Sequence, residues 1–269
     1  MRADRETYTH GHAASVLRSH TVRTVANSAA YLLPYLRPGA TVLDVGCGPG
    51  TITVDIAAHV APGRVRGIEP VPEPLEHARA HAAGRPDVAF VLGDVYALDE
   101  TDAAYDVVHA HQVLQHLTDP VAALREMLRV CRADGVVGVR DADYAAMAWY
   151  PVDPLLDRWL EIYHAVARAN GAEPDAGRRL LSWAQAAGAT GIVPTASVWC
   201  WATPTDRQWW SGMWADRILD SAITEQAIDG GHADRAELTA ISHAWRRWAA
   251  ADDGWFLIPH GEVLCRPAS

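Results

Sequence analysis

Leu43-Asp44-Val45-Gly46-Cys47-Gly48-Pro49-Gly50 joins an apolar run, Thr41 to Val45, to a helical pattern from Thr51 to Val60. The join reads as a strand, a tight turn and a helix. Glycine serves there where the backbone needs positive φ or where a ligand must approach with no Cβ in the way. Nineteen residues after Gly50 a second short strand, Arg64 to Ile68, ends on Glu69. A carboxylate at the tip of the second strand is where an open parallel sheet holds ribose hydroxyls. The dinucleotide fingerprint needs G-x-G-x-x-G, whereas this chain has Gly46, Gly48 and Gly50 followed by Thr51, in the pattern D-x-G-x-G-x-G.

In that spelling the chain resembles the class I S-adenosylmethionine-dependent methyltransferases, with Asp44 to Gly50 similar to their first motif. The resemblance implies that the loop backbone (Asp44, Gly46, Cys47, Gly48, Gly50) lies along the methionine part of S-adenosylmethionine. It also implies that Glu69, with Pro70 beside it, takes the ribose diol.

Further along, short apolar runs alternate with amphipathic ones. The helix Pro74 to Ala83 leads to the strand Asp87 to Leu92, and the strand Tyr105 to Ala110 leads to the helix Pro120 to Cys131. Asp119 stands where a side chain caps that helix. Gly135 ends it, and Val136 to Arg140 form the next strand. Such alternation implies a parallel sheet covered on both faces, with ligands at the carboxyl ends of its strands. After the third strand, Asp94 matches the family's acid that accepts from the adenine amino group, and Val95 the residue packed on the ring. After the fourth, His109 to Leu117 resembles the stretch beside the sulfonium. Within the superfamily the closest likeness is to the ubiquinone/menaquinone-biosynthesis group. The chain beyond residue 145 departs from that group, so a quinone-precursor acceptor is not carried over.

Ahead of the first strand, residues 7 to 20 hold Tyr8 and three histidines, and a helix is expected from Thr21 to Leu36. This segment resembles the N-terminal helices that lie over the cofactor; the other reading is a packing helix with solvated histidines. Of Arg18 and Arg23, Arg23 is the candidate partner of the cofactor's carboxylate, because guanidinium binds carboxylate bidentately.

All 11 tryptophans lie at or beyond Trp149. Helices are expected over Pro154 to Ala169, Ala176 to Ala187, Thr205 to Asp220 and Ala233 to Ala250, and strands over Ile192 to Trp201 and Trp255 to Cys265. The fold class expected is α/β, a Rossmann-like methyltransferase sheet, mostly parallel with an antiparallel final strand, carrying a helical lid insertion. Residues 1–269 read as one domain: 1–40 covering the cofactor, 41–145 as the core, and 146–269 as lid helices with the last two strands. The extra helices could equally form a homodimer surface, since Trp and Tyr are enriched at interfaces.

Methyl transfer needs a base only if the acceptor must lose a proton near the transition state. His111 is the first candidate, as base, acceptor contact or cofactor packing; His116 reads as structural. Asp141 and Tyr144, closing the fifth strand, are further candidates for acceptor contact, with turn capping as the alternative for Asp141. Trp149, Trp209, Trp210 and Trp214 read either as an aromatic pocket, suited to a flat or quaternary-ammonium acceptor, or as core.

The formal charge of −10 disfavours a nucleic-acid partner, and no basic block points to a membrane. Four dispersed cysteines indicate neither zinc nor disulfides. The charged start Met1-Arg2-Ala3-Asp4-Arg5-Glu6 is unlike a signal peptide, so a reducing cytoplasm is expected. The expected partner is a small-molecule methyl acceptor, and no metal is expected. A cofactor-binding subunit that does not methylate is the reading from a different class, and a nicotinamide oxidoreductase is disfavoured by the glycine spacing and Asp94.

Overall fold

A computed structural model describes residues 22–268, so Tyr8, His10, His12, His20 and Arg18 lie outside the described residues. The described residues open with a single turn, α1 (Val25–Ser28), started by a Thr24/Asn27 capping box. A 3-10 segment, Ala30–Tyr35, follows. The uninterrupted helix expected to Leu36 does not form. Pro34 lies inside that segment, where it lacks an N–H and its ring crowds the preceding turn.

Then come β1 (Thr41–Val45), α2 (Thr51–Val60), β2 (Arg64–Glu69), α3 (Pro72–His81), β3 (Val88–Leu92), β4 (Tyr105–His111), α4 (Pro120–Val130) and β5 (Cys131–Ala142). Pairing is parallel throughout, in the order β3-β2-β1-β4-β5. Asp119 caps α4, its side chain accepting from Ala122 N at 2.9 Å. The fifth strand starts earlier than Val136, because Cys131 already pairs with Tyr105 across a register shift.

The second half supplies β6 (Ala148–Tyr150), α5 (Pro154–Ala169), α6 (Leu180–Ala186), β7 (Thr190–Trp201), α7 (Pro204–Arg217), α8 (Ala222–Asp229), α9 (Arg235–Ala250) and β8 (Trp255–Arg266). β8 runs antiparallel to β5, and β7 runs antiparallel to β8, which gives the hairpin expected of the last two strands. β6 and α8 escape a periodicity reading, being three and eight residues long. Too few residues define a face in either.

The packing has separate cores. Val42, Ile56, Val60 and Leu32 fill one face of the sheet, and Leu124, Met127, Leu180 and Val263 fill the other. The helices inserted around β7 have a core of their own, in which Trp159, Trp214, Trp245 and Phe256 are fully buried. Among the described residues no helix is long and apolar enough to cross a membrane.

Candidate active site

The loops that leave β1, β2, β3, β4 and β5 at their carboxyl ends open on one cavity of about 440 Å³. The glycine loop is its floor. Gly46, Gly48 and Gly50 take φ of 66°, 53° and 78°, the left-handed region that favours glycine. A Cβ on Gly46 would stand 2.5 Å from Val113 Cγ2, so the turn and the β4 loop fit only without a side chain. Gly50 is not part of the cavity wall; its own Cβ would meet Phe90 at 2.6 Å, which makes it a packing glycine.

Glu69 and Asp94, from the tips of neighbouring strands, line the same cavity, together with Pro70 and Val95. Glu69 Oε2 accepts from Gly48 N at 3.1 Å. Burial pushes its carboxyl up to about 7, against the opposing pull of the Gly48 and Val71 amides. Asp94 accepts from Tyr96 N at 2.9 Å, which folds its loop back on itself. Asp44 reaches the wall but its carboxylate is engaged, accepting from Thr53 Oγ1 at 2.5 Å and His109 Nδ1 at 2.7 Å. It ties the glycine loop to α2 and β4. Cys47 is also on the wall, and burial pushes its thiol well up, so it is an inert packing group.

At the end of β4, His111 lines the cavity at 4% exposure, with no hydrogen-bond partner for either ring nitrogen among the described residues. Burial, then the charges of Arg23 and Arg140, hold its titration well below the usual histidine range. It is a neutral imidazole. His116, also on the wall, is pushed down to about 3 by burial and Arg23, and its Nε2 lies 3.0 Å from the Gln115 amide. Tyr144 is on the wall, stacked on Tyr163 at 4.1 Å.

Asp141 is not on the wall, which corrects the expectation of direct acceptor contact. It is fully buried behind the β4 loop, accepting from Gln115 N at 3.1 Å while Ala142 N donates to Gln115 Oε1 at 3.2 Å. The strand continues through Asp141, whose side chain points into the protein and braces the loop that follows His111.

The tryptophans divide. Trp209, Trp210 and Trp214 of α7 line the cavity, whereas Trp149 stacks on Phe256 at 5.5 Å and packs against the core of the inserted helices. Trp199 and Trp201 of β7 complete the wall, with Trp201 stacked on Trp210 at 5.4 Å. Arg217 closes it, its guanidinium 4.8 Å over Trp214. Sequence reading missed Trp199, Trp201, Gln112, Arg217 and His260. The i, i+2 spacing of Trp199 and Trp201 on a predicted strand was a usable signal, because it puts both on one face. Nothing in the sequence pointed to His260. Arg23, named in advance, donates to Gln112 Oε1 at 2.6 Å and lies 5.8 Å over the Trp199 ring.

A family profile described as a methyltransferase domain matches residues 36–203. An uncharacterized methyltransferase of Schizosaccharomyces pombe is 35% identical over 96% of this chain and 95% of its own length. A demethylmenaquinone methyltransferase of Beutenbergia cavernae is 33% identical over 52% of this chain and 56% of its own. Among solved structures, phosphoethanolamine N-methyltransferase 2 of Haemonchus contortus, in complex with phosphomonomethylethanolamine and S-adenosylhomocysteine, superposes with a TM-score of 0.56 at 15% identity, covering 89% of this chain and 52% of that one. That last likeness is one of fold.

Proposed function

This chain belongs to the class I S-adenosylmethionine-dependent methyltransferases, and from that premise we propose that it methylates a small aromatic or otherwise apolar acceptor held against the tryptophan wall. The observation that carries the proposal is one cavity lined on one side by the glycine loop, Glu69 and Asp94 and on the other by Trp199, Trp201, Trp209, Trp210 and Trp214. The residues present fit S-adenosylmethionine. Gly46 and Gly48 put no side chain into the floor, Glu69 is a half-buried acceptor for a diol, and Asp94 and Val95 suit an adenine edge and face. Of the arginines lining the cavity among the described residues, Arg23 and Arg217, Arg23 is the one assigned to the cofactor's carboxylate. When bound, the cofactor supplies a methyl group on a positively charged sulfur, open to in-line attack.

The chain's own contribution is positioning and exclusion of water. The indole rings give a flat, apolar wall on which an aromatic acceptor stacks. His111 acts there as a neutral hydrogen-bond partner. An imidazole held this far below neutrality takes up a proton poorly, so it does not serve as a proton store at pH 7. Over the aromatic wall stand Arg217, 4.8 Å from the Trp214 ring, and Arg23 and Arg140, 5.8 Å and 5.0 Å from the Trp199 ring. A cation there disfavours a quaternary-ammonium acceptor, which an aromatic pocket alone would admit. The reading of a non-methylating subunit expected no open pocket beside His111, and the cavity there removes its support.

The test is methyl transfer from labelled S-adenosylmethionine to a panel of small aromatic, aliphatic and quaternary-ammonium compounds. Trp210→Ala should raise the KM of the best aromatic acceptor about tenfold, in line with the worth of one stacked ring, and leave S-adenosylhomocysteine affinity unchanged. Turnover confined to cationic acceptors, or an acceptor KM indifferent to Trp210, would sink the proposal.

A further inference from the structure

We infer that His260, a buried histidine on the last strand, is a positioning residue that holds Arg23 over the cavity by fixing the amide of Gln112. The inference rests on the reading above that Arg23 receives the cofactor's carboxylate. His260 is fully buried, and its ring packs 4.5 Å from Trp199 and 6.1 Å from His111. Its Nδ1 lies 3.0 Å from Ile258 O and its Nε2 lies 3.0 Å from Gln112 Nε2.

A carbonyl oxygen only accepts, so Nδ1 carries the proton. In a neutral ring Nε2 then accepts, so the Gln112 group facing it is the amide NH₂. The amide oxygen is thereby turned to the other side, where Arg23 Nη2 donates to it at 2.6 Å. The direction of every bond from Arg23 to Gln112 to His260 to Ile258 O follows from one ring tautomer.

Gln112 itself is held in place. It takes φ of 54° without being glycine, and its N–H donates to Arg140 O at 2.7 Å. A non-glycine residue in that region is kept there by its surroundings. Without an acceptor at position 260 the amide is free to turn, and its NH₂ then faces the guanidinium, donor against donor. Arg23 loses its hydrogen bond to Gln112.

The experiment measures S-adenosylhomocysteine affinity by calorimetry for Arg23→Gln, His260→Phe, His260→Gln and the double variant Arg23→Gln/His260→Phe. Phenylalanine keeps the packing and removes the acceptor; glutamine brings an amide oxygen near the place of Nε2. A hydrogen bond to a charged group implies that Arg23→Gln and His260→Phe each weaken binding roughly tenfold. His260→Gln should restore most of the loss, and the double variant should be no weaker than Arg23→Gln alone, because residues in one network do not add. If Arg23→Gln leaves the affinity unchanged, the assignment of the carboxylate to Arg23 fails. If Arg23→Gln weakens binding while His260→Phe does not, or if the two losses add, that assignment stands and the role of His260 fails.

A second readout does not depend on the His260 variants folding. Gln112→Glu puts a carboxylate against the Nε2 lone pair, so the ring should take up a proton at that nitrogen. Imidazole nitrogen NMR should move from the Nδ1–H tautomer to the doubly protonated form, and an unmoved spectrum would overturn the inference.

Discussion

Glu69→Ala is expected to weaken S-adenosylhomocysteine binding roughly a hundredfold, about what two hydrogen bonds to a charged acceptor are worth. The carboxylate is placed for this. It stands half-buried at the end of β2, with one oxygen already accepting from Gly48 N at 3.1 Å, so in the proposed site the glycine loop also orients the group that would receive the ribose. The same side chain makes binding depend on pH. In the free protein burial raises Glu69 to about 7, and the hydroxyls of a bound diol, donating to the carboxylate, favour the charged form, so binding lowers that value. Below pH 7 the free protein carries a proton that binding must expel. Affinity should therefore fall about tenfold per pH unit below 7 and level off above it. Calorimetry at pH 6 in buffers of different ionisation enthalpy should find close to one proton released, and none in Glu69→Ala. Affinity that is flat between pH 5.5 and 8 in the unaltered protein would remove Glu69 from the binding site.

Trp159→Ala is expected to cost about 3–5 kcal/mol, the range for deleting a large buried aromatic side chain, and to lower Tm by roughly 10 °C. Trp159 is fully buried on α5, edge-on to Trp214 at 4.6 Å and to Trp245 at 5.0 Å. Trp214 also meets two residues of the cavity wall, Trp210 at 6.1 Å and the Arg217 guanidinium at 4.8 Å. Removing Trp159 thus takes away the backing of the acceptor wall. The cofactor loops rest on other cores, around Val42 and Ile56 on one face of the sheet and Leu124 and Met127 on the other. Acceptor KM should rise while S-adenosylhomocysteine affinity holds. Thermal melting and calorimetry on the same sample check both halves; loss of cofactor affinity in step with Tm would mean that lid and sheet do not bear their loads separately.

That Gly46, Glu69 and Asp94 share one cavity was legible because they stand within one or two positions of the strand ends. Once Leu43 to Val45 and Arg64 to Ile68 are read as parallel strands, Gly46, Glu69 and Asp94 must come to one edge, as all three do. The acceptor side was less legible. Helical spacing equally suits a core or a pocket, and the tryptophans served both: Trp149 and Trp159 in the lid core, Trp209, Trp210 and Trp214 on the wall. Asp141 was placed at the strand end by number, but the strand's alternation turned it inward, where Gln115 N occupies it.

By itself the sequence determined the parallel sheet, the glycine turn and the two acids at its edge, since these follow from short-range periodicity and the special backbone freedom of glycine. Only the tertiary structure decided which tryptophans face the cavity, that Arg23 meets Gln112 across 89 positions, and that His260 meets Gln112 across 148. Pairings so distant in the chain leave no local pattern. They are settled by which strand lies beside which, here by β8 entering antiparallel next to β5 and carrying His260 to the edge where the β4 loop ends.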